Sequence, residues 1–342
     1  MFGTWWILIN LQLASTGGCE VHAPREKGIA LGLFSSDPGF SYEPMVREVA
    51  EHGATHLELA WVWWQKDKHA AEIAPRRGFS PTANQVVEAI RAAKQAGLHV
   101  TTFPIVRLTN GGASDWRGKI APHDEDAWWT SYSEFILETA LLAKHAGADR
   151  LSVGSELISR ESQRERWLRL IERVRLRAGG LEILYSANWD HFRPVTFWDA
   201  VDVIGITGYF ELTKDFDAPE DALVAGWAGP KREVQDWIAS MGRPVVITEI
   251  GYPSLDGAAA WPWDETRDAP IDVDEQARAY SAFVRAWAGT PGIDGVYFWN
   301  WFGNGGVRDG NYTPRGKPAA DVLKDWFRVG PRSNCGSSRL RP

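Results

Sequence analysis

The segment Arg150-Leu151-Ser152-Val153-Gly154-Ser155-Glu156-Leu157 is a run of strand-forming residues that closes on one glutamate. A second segment, Pro244-Val245-Val246-Ile247-Thr248-Glu249-Ile250-Gly251-Tyr252, follows the same plan. A carboxylate at the end of a buried strand is costly unless it has a partner or a task. Either glutamate alone is more simply a structural salt-bridge partner. Their meaning depends on what the chain builds around them.

Outward from these two segments the pattern is a regular alternation. Strand-like runs occupy 28–35, 55–64, 99–108, 150–157, 182–189, 201–210, 244–252 and 295–302. Helical patterns fall between and after them, over 42–52, 81–96, 125–146, 164–177, 195–200, 230–240, 274–288 and 318–327. For the second of these, Ser80 is the expected N-cap and Gly97 the stop. Strands alternating with helices imply a parallel sheet. Eight such units without a linker-like break predict an α/β fold, a single-domain (β/α)8 TIM barrel over 28–328. The first strand leads through Gly32-Leu33-Phe34-Ser35 into Asp37-Pro38-Gly39, which is not a glycine-rich phosphate loop. A nucleotide-binding open sheet thereby loses its main support. In a barrel the active site lies at the C-terminal ends of the strands. Glu156 ends the fourth strand and Glu249 lies near the end of the seventh, so both face one mouth from roughly opposite sides.

Composition narrows the chemistry. The 342 residues carry a formal charge of −7, which argues against a partner with a phosphate backbone, so no nucleic acid is expected. Hydrophobic residues make up 44%, enough for a large core. The chain has 19 tryptophans. Many can be core, but Trp61, Trp63, Trp64, Trp189, Trp299 and Trp301 gather where strands end. A flat apolar ring there suits the C–H face of a sugar. His123 and His191 lack ligand-like spacing and read as surface or rim residues, and no metal is expected. The Arg-rich helix 164–177 interleaves Glu and reads as a solvated face.

The N-terminus has the order of an export signal. Trp5 to Ala14 is an apolar run too short to span a bilayer, followed by Ser15-Thr16-Gly17-Gly18 and Cys19. This is the order of a bacterial lipoprotein signal over 1–27, with Cys19 as the lipidated residue and membrane attachment as the consequence. The match departs in two places: no Lys or Arg precedes the run, and Thr16 stands where Leu is usual. An ordinary cleaved signal peptide is the alternative, and a secreted or lipid-anchored protein follows from either. A Cys19–Cys335 disulfide is a further alternative in an oxidising compartment. The polar tail 329–342 is expected to be disordered.

With the glutamates placed at strands four and seven, the chain resembles the clan of retaining glycoside hydrolases that includes β-mannanases, cellulases and β-galactosidases. The segments Val153-Gly154-Ser155-Glu156-Leu157, Ile247-Thr248-Glu249-Ile250-Gly251-Tyr252 and Tyr297-Phe298-Trp299-Asn300-Trp301 most resemble the family 113 β-mannanases. So does Asp274-Glu275-Gln276-Ala277-Arg278-Ala279-Tyr280. The resemblance implies Glu156 as acid/base and Glu249 as nucleophile of a double displacement, with β-1,4-mannan as substrate and no cofactor. It implies that Tyr209 donates to the nucleophile. Arg107 is the candidate for positive charge beside Glu249, with pairing to a structural carboxylate as its alternative. Trp299 is the candidate floor of the −1 sugar subsite, and one of Trp299 and Trp301 is expected to be core. Asn188, Trp189, Trp61 and Trp63 are candidates for outer subsites, and Trp261 and Trp263 for a wall. Most of the clan has Asn before the acid/base, where it contacts the sugar 2-hydroxyl. Here that position is Ser155, which leaves other β-linked glycans, such as β-glucan, xylan or an envelope glycan, beside mannan. A non-catalytic carbohydrate-binding barrel is the rival of another class, although it would not need both glutamates. A monomer acting on a poly- or oligosaccharide is the expected working form.

Overall fold

The computed structural model describes residues 24–112 and 114–329. The export signal, Cys19, Cys335 and the tail beyond 329 lie outside the described residues. Eight parallel strands form a closed barrel: β1 (Glu26–Gly32), β2 (His56–Gln65), β3 (His99–Leu108), β4 (Arg150–Ser155), β5 (Glu182–Ala187), β6 (Val203–Thr207), β7 (Val245–Ile250) and β8 (Ile293–Phe298). Each pairs with its neighbours in chain order, and β1 closes the ring by pairing with both β2 and β8. A two-residue strand, Ile73–Ala74, adds antiparallel to the end of β2. The helices around the barrel are α1 (Glu43–Glu51), α2 (Ala83–Gln95), α3 (Glu125–Ala146), α4 (Arg164–Ala178), α5 (Glu220–Gly226), α6 (Ala228–Met241), α7 (Val273–Trp287) and α8 (Pro318–Val329). The single-domain (β/α)8 architecture read from the alternation is thus the one present.

Local differences have local causes. α2 is capped by Thr82, not Ser80: Thr82 and Gln85 exchange hydrogen bonds in a capping box. Ser80 instead donates to the Val62 carbonyl. After β5 the expected helix is one 3₁₀ turn, Trp198–Ala200. The helical layer after β6 is split into α5 and α6, with Trp227 at the junction. Most strands end two to four residues earlier than the apolar runs do, because the last residues of each run turn into the loops at the mouth. Among the described residues no helix is long and apolar enough to cross a membrane.

The barrel interior is filled in layers, as a packed core rather than a pore. At its base Arg150 of β4 bonds Glu26 of β1 through Nη1 (2.8 Å) and Nη2 (2.7 Å) and reaches Tyr297 and Glu182. Ala60, Val62, Phe103, Ile105 and Leu184 fill the upper interior. On β2 the residues facing this interior are therefore Ala60 and Val62. Alternation sends Trp61 and Trp63 the other way, toward the helices.

Candidate active site

The Gly154–Glu156 segment shows how the sequence aims a carboxylate. The register of β4 against β5 shifts between Ser152 and Ser155, a bulge. A Cβ on Gly154 would come within 2.8 Å of the Tyr132 hydroxyl and 3.0 Å of Trp167 and Tyr185, so only glycine fits there. Glu156 then takes a left-handed backbone at φ 52°, the one non-glycine residue to do so among those described. Alternation is broken twice, and Ser155 and Glu156 both turn inward.

Glu156 and Glu249 line one cavity of about 830 Å³ at the C-terminal mouth of the barrel. Glu156 accepts from Arg117 Nη2 (2.6 Å) and from Thr207 Oγ1 (2.9 Å). Glu249 is more enclosed. It accepts from Tyr209 O–H on Oε2 (3.2 Å) and from Ser155 O–H on Oε1 (3.4 Å). Burial, and next the charge of Glu156, push the Glu249 carboxyl up to about 7, while Arg117 and the two hydroxyls act against that rise. Burial and the neighbouring Glu249 hold the Tyr209 hydroxyl far above its ordinary range, so it stays a donor.

The same cavity takes in Arg107, Asn188, Trp189, Trp263 and Trp299. Trp189 and Trp263 stack nearly parallel, centroids 6.0 Å apart, as one wall. Trp299 lies against Phe34. Trp301 points the other way, is buried and donates to Glu48 (2.9 Å). The Asn188 amide orders its own loop, with Oδ1 accepting from Trp189 N and Nδ2 donating to Asp190.

Five sequence expectations are corrected. Trp61 and Trp63 do not reach the cavity: Trp61 is core, and Trp63 stacks on Phe135 of α3 at 4.6 Å. Trp261 stands outside the cavity, packed on Phe216 and under Arg267. Arg107 lines the cavity, but its charge acts on Glu265; the cation acting on Glu249 is Arg117. Ser155 faces Glu249 and is not part of the cavity wall.

Sequence reasoning missed Arg117 and Thr207, which donate to Glu156, and Glu265 and Tyr312, which line the cavity. Thr207 shares strand parity with Tyr209, a signal that was available. Arg117 sits in the loop between β3 and α3, which has no periodicity. Asp256, Asp272 and Glu275 could bring carboxylate oxygens to a metal. Glu275, however, already accepts from Gly257 N and Ala259 N, and Asp272 caps α7, so the trio reads as a loop clip.

The model of Glycoside Hydrolase Family 113 matches residues 41–310. No curated protein matches the chain. Among solved structures, the chain is similar to the GH113 β-mannanase AaManA from Alicyclobacillus acidocaldarius in complex with ManMIm: 27% identity, 90% of this chain, 98% of that one, TM-score 0.78. It is similar to a GH113 β-1,4-mannanase at 25% identity over 89% and 99% of the two chains, TM-score 0.78. A GH113 β-1,4-mannanase complex at 24% identity, 89% and 99% coverage and TM-score 0.79 shares the fold. With the family matched across most of the barrel, the chain belongs to glycoside hydrolase family 113.

Proposed function

We propose that the protein is a retaining β-mannanase that cleaves β-1,4-mannan by double displacement, with Glu249 as nucleophile and Glu156 as acid/base. One observation carries the assignment of roles: the two carboxyls share a cavity but keep unlike partners. Glu249 is enclosed between two hydroxyl donors that stabilise its anion. Glu156 lies toward the loop that carries Arg117, with Thr207 on its other oxygen.

In the first step Glu249 attacks the anomeric carbon as Glu156 gives its proton to the departing glycosidic oxygen. The C–O bond to the leaving sugar breaks with its electron pair, and a glycosyl ester forms on Glu249. In the second step Glu156, now a carboxylate beside Arg117, takes a proton from water. The oxygen of that water attacks the anomeric carbon and frees Glu249. Burial, and next the charge of Glu156, push the Glu249 carboxyl of the free enzyme up to about 7. The Tyr209 and Ser155 hydroxyls act against that rise and so favour the ionised Glu249 that the first step requires. Arg117 favours the ionised Glu156 of the second step.

Trp299 is the proposed floor of the sugar site, and the Trp189–Trp263 wall the site of the next residues along the glycan. Replacing Glu249 by Ala is expected to abolish reducing-end release from β-1,4-mannan, and products from the parent enzyme should retain the anomeric configuration by NMR. Inverted product, or normal turnover by Glu249→Ala, would overturn the reading. A panel of β-mannan, β-glucan and xylan decides the sugar.

We also propose export, with Cys19 as a lipid anchor and a monomer as the working form. Cys19→Ala should move the protein from the membrane to the soluble fraction, and its unchanged membrane association would refute the anchor.

A further inference from the structure

A buried group that the double displacement does not use lies behind Glu156. Tyr185 of β5 points away from the cavity into the helix layer. Its ring is caged by Trp167 (centroids 5.1 Å), Phe197 (4.9 Å) and Trp198 (5.8 Å), which fixes where its hydroxyl sits. That hydroxyl accepts the backbone N–H of Leu157 (3.2 Å), the residue after Glu156, and donates to Glu161 Oε1 (2.7 Å). Glu161 is 1% exposed, its second oxygen has no hydrogen-bond partner, and its own carbonyl accepts from Thr196 (2.8 Å). On the other side, Glu156 N donates to Ser186 O (2.8 Å).

A left-handed glutamate is a strained residue that persists only where its surroundings over-determine it. Leu157 N is the next backbone donor along, and a side chain rather than the sheet holds it. We propose that Tyr185 and Glu161 are positioning residues for the proton donor: the Tyr185 hydroxyl, anchored on Glu161, pins Leu157 N and thereby fixes the backbone turn that aims Glu156 at the leaving oxygen. The inference rests on Glu156 being the acid/base.

Proton donation should suffer most when this pin is removed, because Glu249 stands on β7 and its nearer donor, Tyr209 (3.2 Å), follows β6, and only the longer Ser155 bond (3.4 Å) adjoins the turn. The test compares Tyr185→Phe and Glu161→Leu with the parent enzyme on two substrates, β-1,4-mannohexaose, whose leaving group needs a proton, and 2,4-dinitrophenyl β-mannobioside, whose leaving group does not. For each variant kcat/KM on the hexaose should fall about tenfold or more, with less than about a twofold change on the dinitrophenyl substrate. Equal losses on both substrates, as a merely structural role would give, or no loss on the hexaose, would overturn the proposal. Thermal unfolding run beside the assays shows that each variant is folded. Glu156→Gln must show the same leaving-group contrast, more strongly. If it does not, the acid/base assignment fails whatever Tyr185→Phe does.

Discussion

Removing the charge of Arg117 tests the electrostatics of the carboxyl pair directly. Arg117 Nη2 lies 2.6 Å from Glu156 Oε2, and the side chains are 20% and 9% exposed. With both carboxyls ionised the three groups sum to −1, and without Arg117 they would sum to −2. Glu249, already pushed up to about 7, would then ionise less readily, because Arg117 acts against that rise. The sign is fixed: a cation stabilises the fully ionised pair, so its loss raises the pH at which that form appears. A hydrogen bond to a charged group contributes ~1.5–3 kcal/mol. At ~1.36 kcal/mol per unit, Arg117→Gln should move the basic limb of kcat/KM upward by about one to two pH units. Arg117→Lys keeps the charge and should move it by less than half as much. The assay is kcat/KM against pH on a soluble mannooligosaccharide. A basic limb that stays in place or moves down in Arg117→Gln would refute the reasoning.

Three other outcomes follow from the geometry. Gly154→Ala places a Cβ against the Tyr132 hydroxyl, Trp167 and Tyr185, and should cost roughly 1–3 kcal/mol in denaturant unfolding; unchanged stability and activity would show the bulge is misread. Trp63→Ala and Trp189→Ala should part company. The first removes a ring stacked on Phe135 and should cost roughly 2–4 kcal/mol of stability at nearly unchanged kcat/KM, while the second should raise KM for an oligosaccharide about tenfold, ~1.4 kcal/mol, at little cost in stability. Glu249→Gln should stabilise the fold at pH 8 relative to the parent and less so at pH 4. A carboxyl raised to about 7 in the fold withdraws stability as pH climbs through that value, on the order of 3 kcal/mol here. Equal melting temperatures of the two proteins at pH 8 would contradict that.

The fold was legible because strand and helix periods alternate eight times. Glu156 and Glu249 were legible because each closes a strand run. The outward turn of Trp61 and Trp63 on β2 was not, and the reason is general. A strand of a parallel barrel is buried on both faces, so apolar residues occupy both parities and alternation carries no signal. One clue to parity was still present. Glu58 is the single acid in His56–Gln65, and it is wholly buried with no partner on either oxygen. It lies in the barrel interior, near enough for Glu249 to raise its carboxyl further above the ordinary range than burial alone does. Counting by twos from Glu58 puts Ala60, Val62 and Trp64 inside and Trp61 and Trp63 outside. Arg117 offers no such count. Its position comes from tethers distant in sequence, Lys68 to Asp115 (3.0 Å) and Ser159 to the Ile120 carbonyl (2.6 Å). The left-handed turn at Glu156 is hidden for a third reason: no residue type there announces it, and the Gly154 bulge and the Ser186 and Tyr185 contacts impose it from outside. The residues that do the chemistry can therefore be read from strand ends, whereas those that aim and charge them come from loops and the helix layer, where only the folded chain brings them within reach.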